Sequence, residues 1–165
     1  MSITNVYKII DKYELNKNSR SISAPVELLE LNNEKCKSIS EEAGVYFIIV
    51  PDGLKVKIKE SGKDWHYCKN KLNDKYNNCK DKELVYIGKA EGRKGLRQRI
   101  RQYLAFGFGN GKNHRGGRAV WQIDNYESLL LICVVCEDAS GLEHDLLEKY
   151  KKNNSDTLPL ANWRL

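Results

Sequence analysis

Residues 43–50, Ala-Gly-Val-Tyr-Phe-Ile-Ile-Val, carry no charge and no amide, and Pro51-Asp52-Gly53 closes the run. β-branched and aromatic residues favour extended backbone, and Pro-Asp-Gly is turn chemistry. A strand with no polar alternation has no face to offer water. The run therefore predicts a central strand covered on both sides, which requires neighbours. Residues 84–88, Leu-Val-Tyr-Ile-Gly, and residues 129–136, Leu-Leu-Leu-Ile-Cys-Val-Val-Cys, supply two more core strands. Between them Leu96, Ile100, Tyr103 and Leu104 fall on one helical stripe, and a second helix opens at Ser140 and runs to about Lys152. The order strand, strand, helix, strand, helix predicts an α+β fold: a small three-stranded antiparallel sheet flanked by helices. At 165 residues the chain is expected to form a single domain.

Two segments lie outside that plan. Residues 1–42 read as an N-terminal extension, of low order until a short helix near Ala24–Leu31. Residues 51–83 read as an insertion between the first two core strands. Within it Leu54–Lys59 alternates like a half-exposed strand, and Asp64–Asn78 reads equally as helix or loop. Residues 114–124 suggest another short helix. No apolar run is long enough to span a bilayer, so no membrane is expected. Five cysteines is an odd number, and no secretory signal precedes them. Reduced thiols and a cytoplasmic protein are the expectation. Cys133 and Cys136 have metal-site spacing, but on a strand they face opposite sides and read as core thiols. His66, Cys68 and Cys79 match no usual zinc spacing.

The charge is local. From Gly92 to Ile123 there is no Asp or Glu, but there are eight cations: Arg93, Lys94, Arg97, Arg99, Arg101, Lys112, Arg115 and Arg118. The chain nets +6, so the remainder sums to −2 (6 − 8). Six of these eight are arginines, whose planar fork suits phosphate. A polyanion is the first partner to consider, and the seven other than Arg99 are candidate nucleic-acid contacts.

Several residues combine position with reactivity. Tyr46 and Tyr86 sit in strands, where most tyrosines are simply core residues. Arg99 borders the apolar stripe of its helix and should point toward the sheet edge, while Arg97 and Arg101 share the solvent side. His114-Arg115-Gly116-Gly117-Arg118 follows a glycine-rich loop and fits either an exposed turn or a phosphate bracket. Ser140-x-x-Glu143 has the form of a capping box. Glu143 also lies in phase with Leu147 and Tyr150, and a carboxylate facing a basic cleft suits a hard cation such as Mg²⁺.

Gly44-Val45-Tyr46, Tyr86-Ile87-Gly88-Lys89, Leu96-Arg97-Gln98-Arg99-Ile100 with Tyr103, Glu143, and Pro159 to Asn162 occur in this order. Together they resemble the GIY-YIG nuclease superfamily, over roughly residues 43–162. The resemblance implies metal-dependent hydrolysis of a nucleic-acid phosphodiester, with DNA as the first expectation and Mg²⁺ or Mn²⁺ as cofactor. It implies that Tyr46 activates water, that Tyr86 orients the nucleophile or phosphate, and that Arg99 neutralises the phosphorane. It makes Glu143 the sole protein ligand of the metal and Asn162 the late asparagine that positions the site. Lys89 matches a position where several members carry a base. Relatives separate the two strand motifs by far less than residues 51–83, so the insertion is expected at the hairpin tip, as a candidate substrate-contacting arm. Some relatives place a histidine where this chain has Tyr103, which leaves His114 as the site's histidine. The alternative is a catalytically inactive nucleic-acid-binding module with the same fold. Substrate structure and oligomeric state are not encoded in any motif.

Overall fold

In the computed structural model, which describes residues 3–62, 66–109, 111 and 114–165, the strand β3 (Gly44–Ile49) is buried at every position. β4 (Leu84–Ala90) and β5 (Leu130–Val135) flank it, both antiparallel. The sheet is larger than the three strands expected. β1 (Ser21–Ile22) and β2 (Val26–Glu27) both pair with the far side of β5, giving five strands in an α+β fold. They are one edge strand interrupted around Pro25, which has no N–H for a ladder. Ser23 bridges the gap: its amide bonds the Cys133 carbonyl and its hydroxyl accepts from the Cys133 amide, each at 2.9 Å.

Alternate side chains of the sheet enter two apolar layers. Tyr46, Ile48, Tyr86, Leu131 and Cys133 enter the first; Val45, Phe47, Ile49, Ile87, Ile132 and Val134 enter the second. A register shift after Ile48 leaves Val85 unpaired, so Leu84 and Ile87 share the second layer although they are three apart. Helix α2 (Leu28–Asn33) and helix α4 (Gly95–Gly107) cover the first layer, α4 through the stripe Leu96, Ile100, Tyr103 and Leu104. Helix α1 (Thr4–Lys12) and helix α5 (Ala139–Asn153) cover the second. The N-terminal segment is thus ordered, contrary to expectation: Val6, Ile9 and Tyr13 repeat at helical spacing and are buried. The helix expected near Ala24–Leu31 begins later, at Leu28.

The insertion is packed against the body. Residues 54–57 form no strand; one bridge, Ile58 to Ile123, replaces it. Helix α3 (Lys69–Asn78) buries Leu72. The Gln122 side chain holds Tyr67 by both its amide and its carbonyl. The short helix expected near 114–124 is a 3₁₀ turn at Arg118–Gln122. Cys133 and Cys136 lie in opposite apolar layers, and the five cysteines are all free. Among the described residues no helix is long and apolar enough to cross a membrane.

Candidate functional site

Tyr46 and Tyr86 come from adjacent strands, and Tyr103 of α4 closes over them. The ring centroids are 5.8 Å (Tyr46–Tyr86), 6.2 Å (Tyr46–Tyr103) and 5.7 Å (Tyr86–Tyr103) apart. Gly88 makes this possible. It stands opposite Tyr46 in the β3–β4 ladder, and a Cβ there would lie 2.5 Å from the Tyr46 ring and 2.6 Å from its hydroxyl. The glycine of the second motif is the space that the first tyrosine occupies. Tyr103 is held by a 2.9 Å hydrogen bond from its hydroxyl to the carbonyl of Gly117.

Tyr46 is sealed, with 0% exposure, whereas Tyr86 retains 6%. The Tyr46 hydroxyl faces that of Tyr86 but makes no well-formed hydrogen bond among the described residues. Burial pushes it well above the ordinary tyrosine range, and the neighbouring Tyr86 adds to this; Arg99 pulls down without reversing the shift, and Glu143 raises it further. Tyr86 is pushed up to about 12, first by burial; Glu143 also raises it, while Tyr46 and Arg99 lower it. Arg99 and Glu143 therefore act on the same two hydroxyls from opposite elements, α4 and α5. At neutral pH both tyrosines are protonated phenols.

Arg99 is exposed, and it makes no hydrogen bond or ion pair among the described residues. It lines a cleft of about 340 Å³ with Lys89, Lys94, Gln98 and Gln102, with Glu91 as the one acid on its wall. Lys89 also turns toward α5. Its ammonium lies 3.2 Å from Glu143 Oε2 and donates to Ser140 Oγ at 2.7 Å.

The capping-box reading of Ser140 and Glu143 is corrected. The N-cap is Asp138, whose Oδ1 accepts from the Gly141 amide at 2.8 Å. Ser140 lies inside the first turn, and Glu143 has no capping role. Its carboxylate is half-buried and pairs with the Lys89 ammonium; it is a single oxygen-donor group of the kind a hard cation takes. Among the described residues no group of three or more His, Cys, Asp or Glu could hold a metal. Cys68 is exposed, and the Cys79 thiol donates to the carbonyl of Lys75 at 3.3 Å.

His114 is buried at 4% exposure, its ring 5.0 Å from Tyr103, with Nε2 unpartnered among the described residues. Burial first, then Arg99 and Arg118, depress its pKa to about 4. It is neutral at physiological pH and stands beside the tyrosines. Asn162 does not point into the cleft. Its side-chain oxygen accepts from the Ile87 amide at 3.0 Å, and its nitrogen donates to the Ile87 carbonyl at 2.8 Å. It imitates a neighbouring strand on the free edge of β4, between Tyr86 and Gly88.

The arginines divide. Arg97 is tied down, by Nε to the Ile39 carbonyl at 2.8 Å, by a second nitrogen to the Lys37 carbonyl and by a third to Glu41. It was expected on the solvent side with Arg101; instead it fastens α4 to the segment before β3. Arg118 donates to the His114 carbonyl and lies over the Phe106 ring. Arg93, Lys94, Arg101 and Arg115 are exposed. Lys112 lies outside the described residues.

Sequence reasoning placed Tyr103 in the helix motif but gave it no part in the site, because its helical spacing also reads as core. It missed Lys75, whose ammonium donates to the carbonyls of Leu160 and Asn162 and lies 4.0 Å from the centre of the Trp163 ring. Compared with known proteins, the chain matches no family model, no curated protein and no solved structure.

Proposed function

We propose that the chain is a divalent-metal-dependent endonuclease that hydrolyses phosphodiester bonds, with DNA as its substrate, and that it is a divergent relative of the GIY-YIG nucleases it resembles. One observation carries this reading: the paired rings of Tyr46 and Tyr86, 5.8 Å apart, lie under the influence of both Arg99 of α4 and Glu143 of α5, and Arg99 lines a basic cleft. A core tyrosine pair needs neither an unpaired arginine nor a carboxylate.

In this reading Arg99, Lys94 and Lys89 receive the phosphate in the cleft. Arg99 is free to neutralise the charge that grows on the phosphorane. Tyr86, the less deeply buried of the two at 6% exposure, orients the attacking water and the phosphate by its hydroxyl. Tyr46, sealed behind it, acts through Tyr86 as a positioning residue. Neutral His114 offers Nε2 to a proton at the same place. Glu143 would hold a Mg²⁺ or Mn²⁺ ion, which when bound supplies charge stabilisation at the phosphate and at the leaving oxygen. Asn162 keeps the strand carrying Tyr86 in register. The five free thiols accord with a reducing compartment, and we place the protein in the cytoplasm.

The second reading, a binding module without catalysis, is favoured by the complete burial of Tyr46. One experiment separates the two. Purified protein is incubated with supercoiled, linear, branched and single-stranded DNA, and with RNA, with and without Mg²⁺. Metal-dependent cleavage abolished by Arg99→Ala supports the nuclease; binding without cleavage under every condition leaves the module.

A further inference from the structure

We propose that Lys89 is a displaceable cation, which occupies the Glu143 carboxylate in the resting protein and moves to the substrate phosphate when a divalent ion takes its place. The inference rests on the nuclease reading and assigns this residue a role in it.

Three observations carry it. First, the Lys89 ammonium has two partners, Glu143 at 3.2 Å and Ser140 Oγ at 2.7 Å, both on α5. Second, Lys89 also belongs to the wall of the basic cleft that Lys94 and Arg99 line. One ammonium on a flexible four-carbon stem therefore reaches both the carboxylate and the phosphate space. Third, the pair is only partly buried, with Lys89 36% and Glu143 19% exposed. An ion pair of that exposure holds weakly and yields to a doubly charged competitor. The two positions exclude each other, since a single ammonium cannot neutralise both groups. Lys89 at Glu143 keeps the carboxylate satisfied before metal arrives, and its release adds a positive charge to the cleft when substrate phosphate brings negative charge.

The test is calorimetric titration of the full chain with MgCl₂ alone, without nucleic acid. Lys89→Met should bind Mg²⁺ more tightly than wild type by about three- to tenfold, because the competing cation is gone. Ser140→Ala, which removes one anchor of the resting position, should move in the same direction by a smaller factor. Lys94→Met removes a charge from the same cleft without touching Glu143, and it should leave Mg²⁺ affinity within about twofold. Cleavage by Lys89→Met should nonetheless fall, by a factor on the order of 10 or more, because the phosphate loses its lysine. Equal effects of Lys89→Met and Lys94→Met would replace displacement by a general field. Unchanged or weaker Mg²⁺ binding in Lys89→Met, or no Mg²⁺ binding by any variant, overturns the proposal. If the affinities shift as expected while wild type cuts nothing, the nuclease reading falls and the displacement stands.

Discussion

Asn162 offers the sharpest perturbation, because its two hydrogen bonds account for both polar groups of Ile87 on the free edge of β4. Asn162 is 7% exposed, so water does not readily replace it. Asn162→Ala strands a buried N–H and a buried C=O. Each costs about 1–3 kcal/mol, so a loss of roughly 2–6 kcal/mol is expected. In a domain of this size that lowers the melting temperature by about 10 °C. Asn162→Asp discriminates further. It keeps an acceptor for the Ile87 amide but sets a carboxylate against the Ile87 carbonyl. Its deficit should be as large at neutral pH and should shrink as pH falls and the carboxyl gains a proton to donate. Urea unfolding gives the energies, and hydrogen exchange at the Ile87 amide reads the clamp directly. Cleavage should fall in step with faster Ile87 exchange. A loss of cleavage with unchanged stability and unchanged exchange would refute the clamp and make Asn162 a group that meets the substrate.

Four further outcomes are expected. Glu143→Gln should change stability by no more than about 1 kcal/mol, since Asp138 caps α5 and only a partly exposed ion pair is lost, yet it should abolish Mg²⁺-dependent cleavage while DNA binding persists. Arg99→Ala and Tyr46→Phe should each slow cleavage by a factor on the order of 10² or more, with the double variant scarcely slower than the worse single one; multiplicative losses in single-turnover kinetics would separate their roles. DNA affinity should fall with salt along a log–log slope of roughly −3 to −6, which Lys94→Ala and Arg101→Ala each flatten by about 1, whereas Arg97→Ala should lower the melting temperature because its guanidinium is bonded inside the fold. The depressed pKa of His114 should make stability complete above its ordinary value of 6.5 and cost it as pH falls toward about 4, because the unfolded chain takes the proton first; a urea series from pH 7 to 4.5 should show a decline of about 2 kcal/mol beyond that of the carboxylates, absent in His114→Gln.

The parts of the fold legible in the sequence were those set by local pattern. β3 has no polar position, and it is central. The stripe Leu96, Ile100, Tyr103 and Leu104 is the buried face of α4. Cys133 and Cys136 face opposite layers, as three residues on a strand require. What was missed depended on contacts distant in sequence or on elements too short for a period. β1 and β2 have two residues each, and only their pairing with β5 makes them strands. Arg97 finds its carboxylate in Glu41 and its carbonyls in Lys37 and Ile39, none of which its helical phase reveals. The capping error was local: Ser140-x-x-Glu143 fits the pattern, but Asp138, itself a favoured cap residue, precedes it and accepts from the Gly141 amide, which starts the helix at Ala139. The helix α1 was legible and overlooked, since Val6, Ile9, Ile10 and Tyr13 have its spacing.

Residues 51–83 put the hairpin of the two tyrosine motifs under strain in principle, because a long excursion weakens the coupling between strands. The entropic part is small: loop closure grows with the logarithm of length, and lengthening a hairpin loop severalfold costs about 1 kcal/mol. Specific contacts at both ends of the insertion offset it. At the base, the Val50 amide bonds the Glu83 carbonyl at 2.7 Å, and Asp52 accepts from the Thr4 and Asn5 amides at 2.8 and 3.1 Å. At the far end α3 projects Lys75 onto the carbonyls of Leu160 and Asn162, while Tyr67 stacks on Trp163 at 4.6 Å. The C-terminal segment so held returns Asn162 to Ile87. The insertion therefore ends where the hairpin needs support, at the edge of the strand that carries Tyr86. It braces the free edge of the strand that carries Tyr86 and contributes no residue to the cleft lined by Lys89, Lys94 and Arg99.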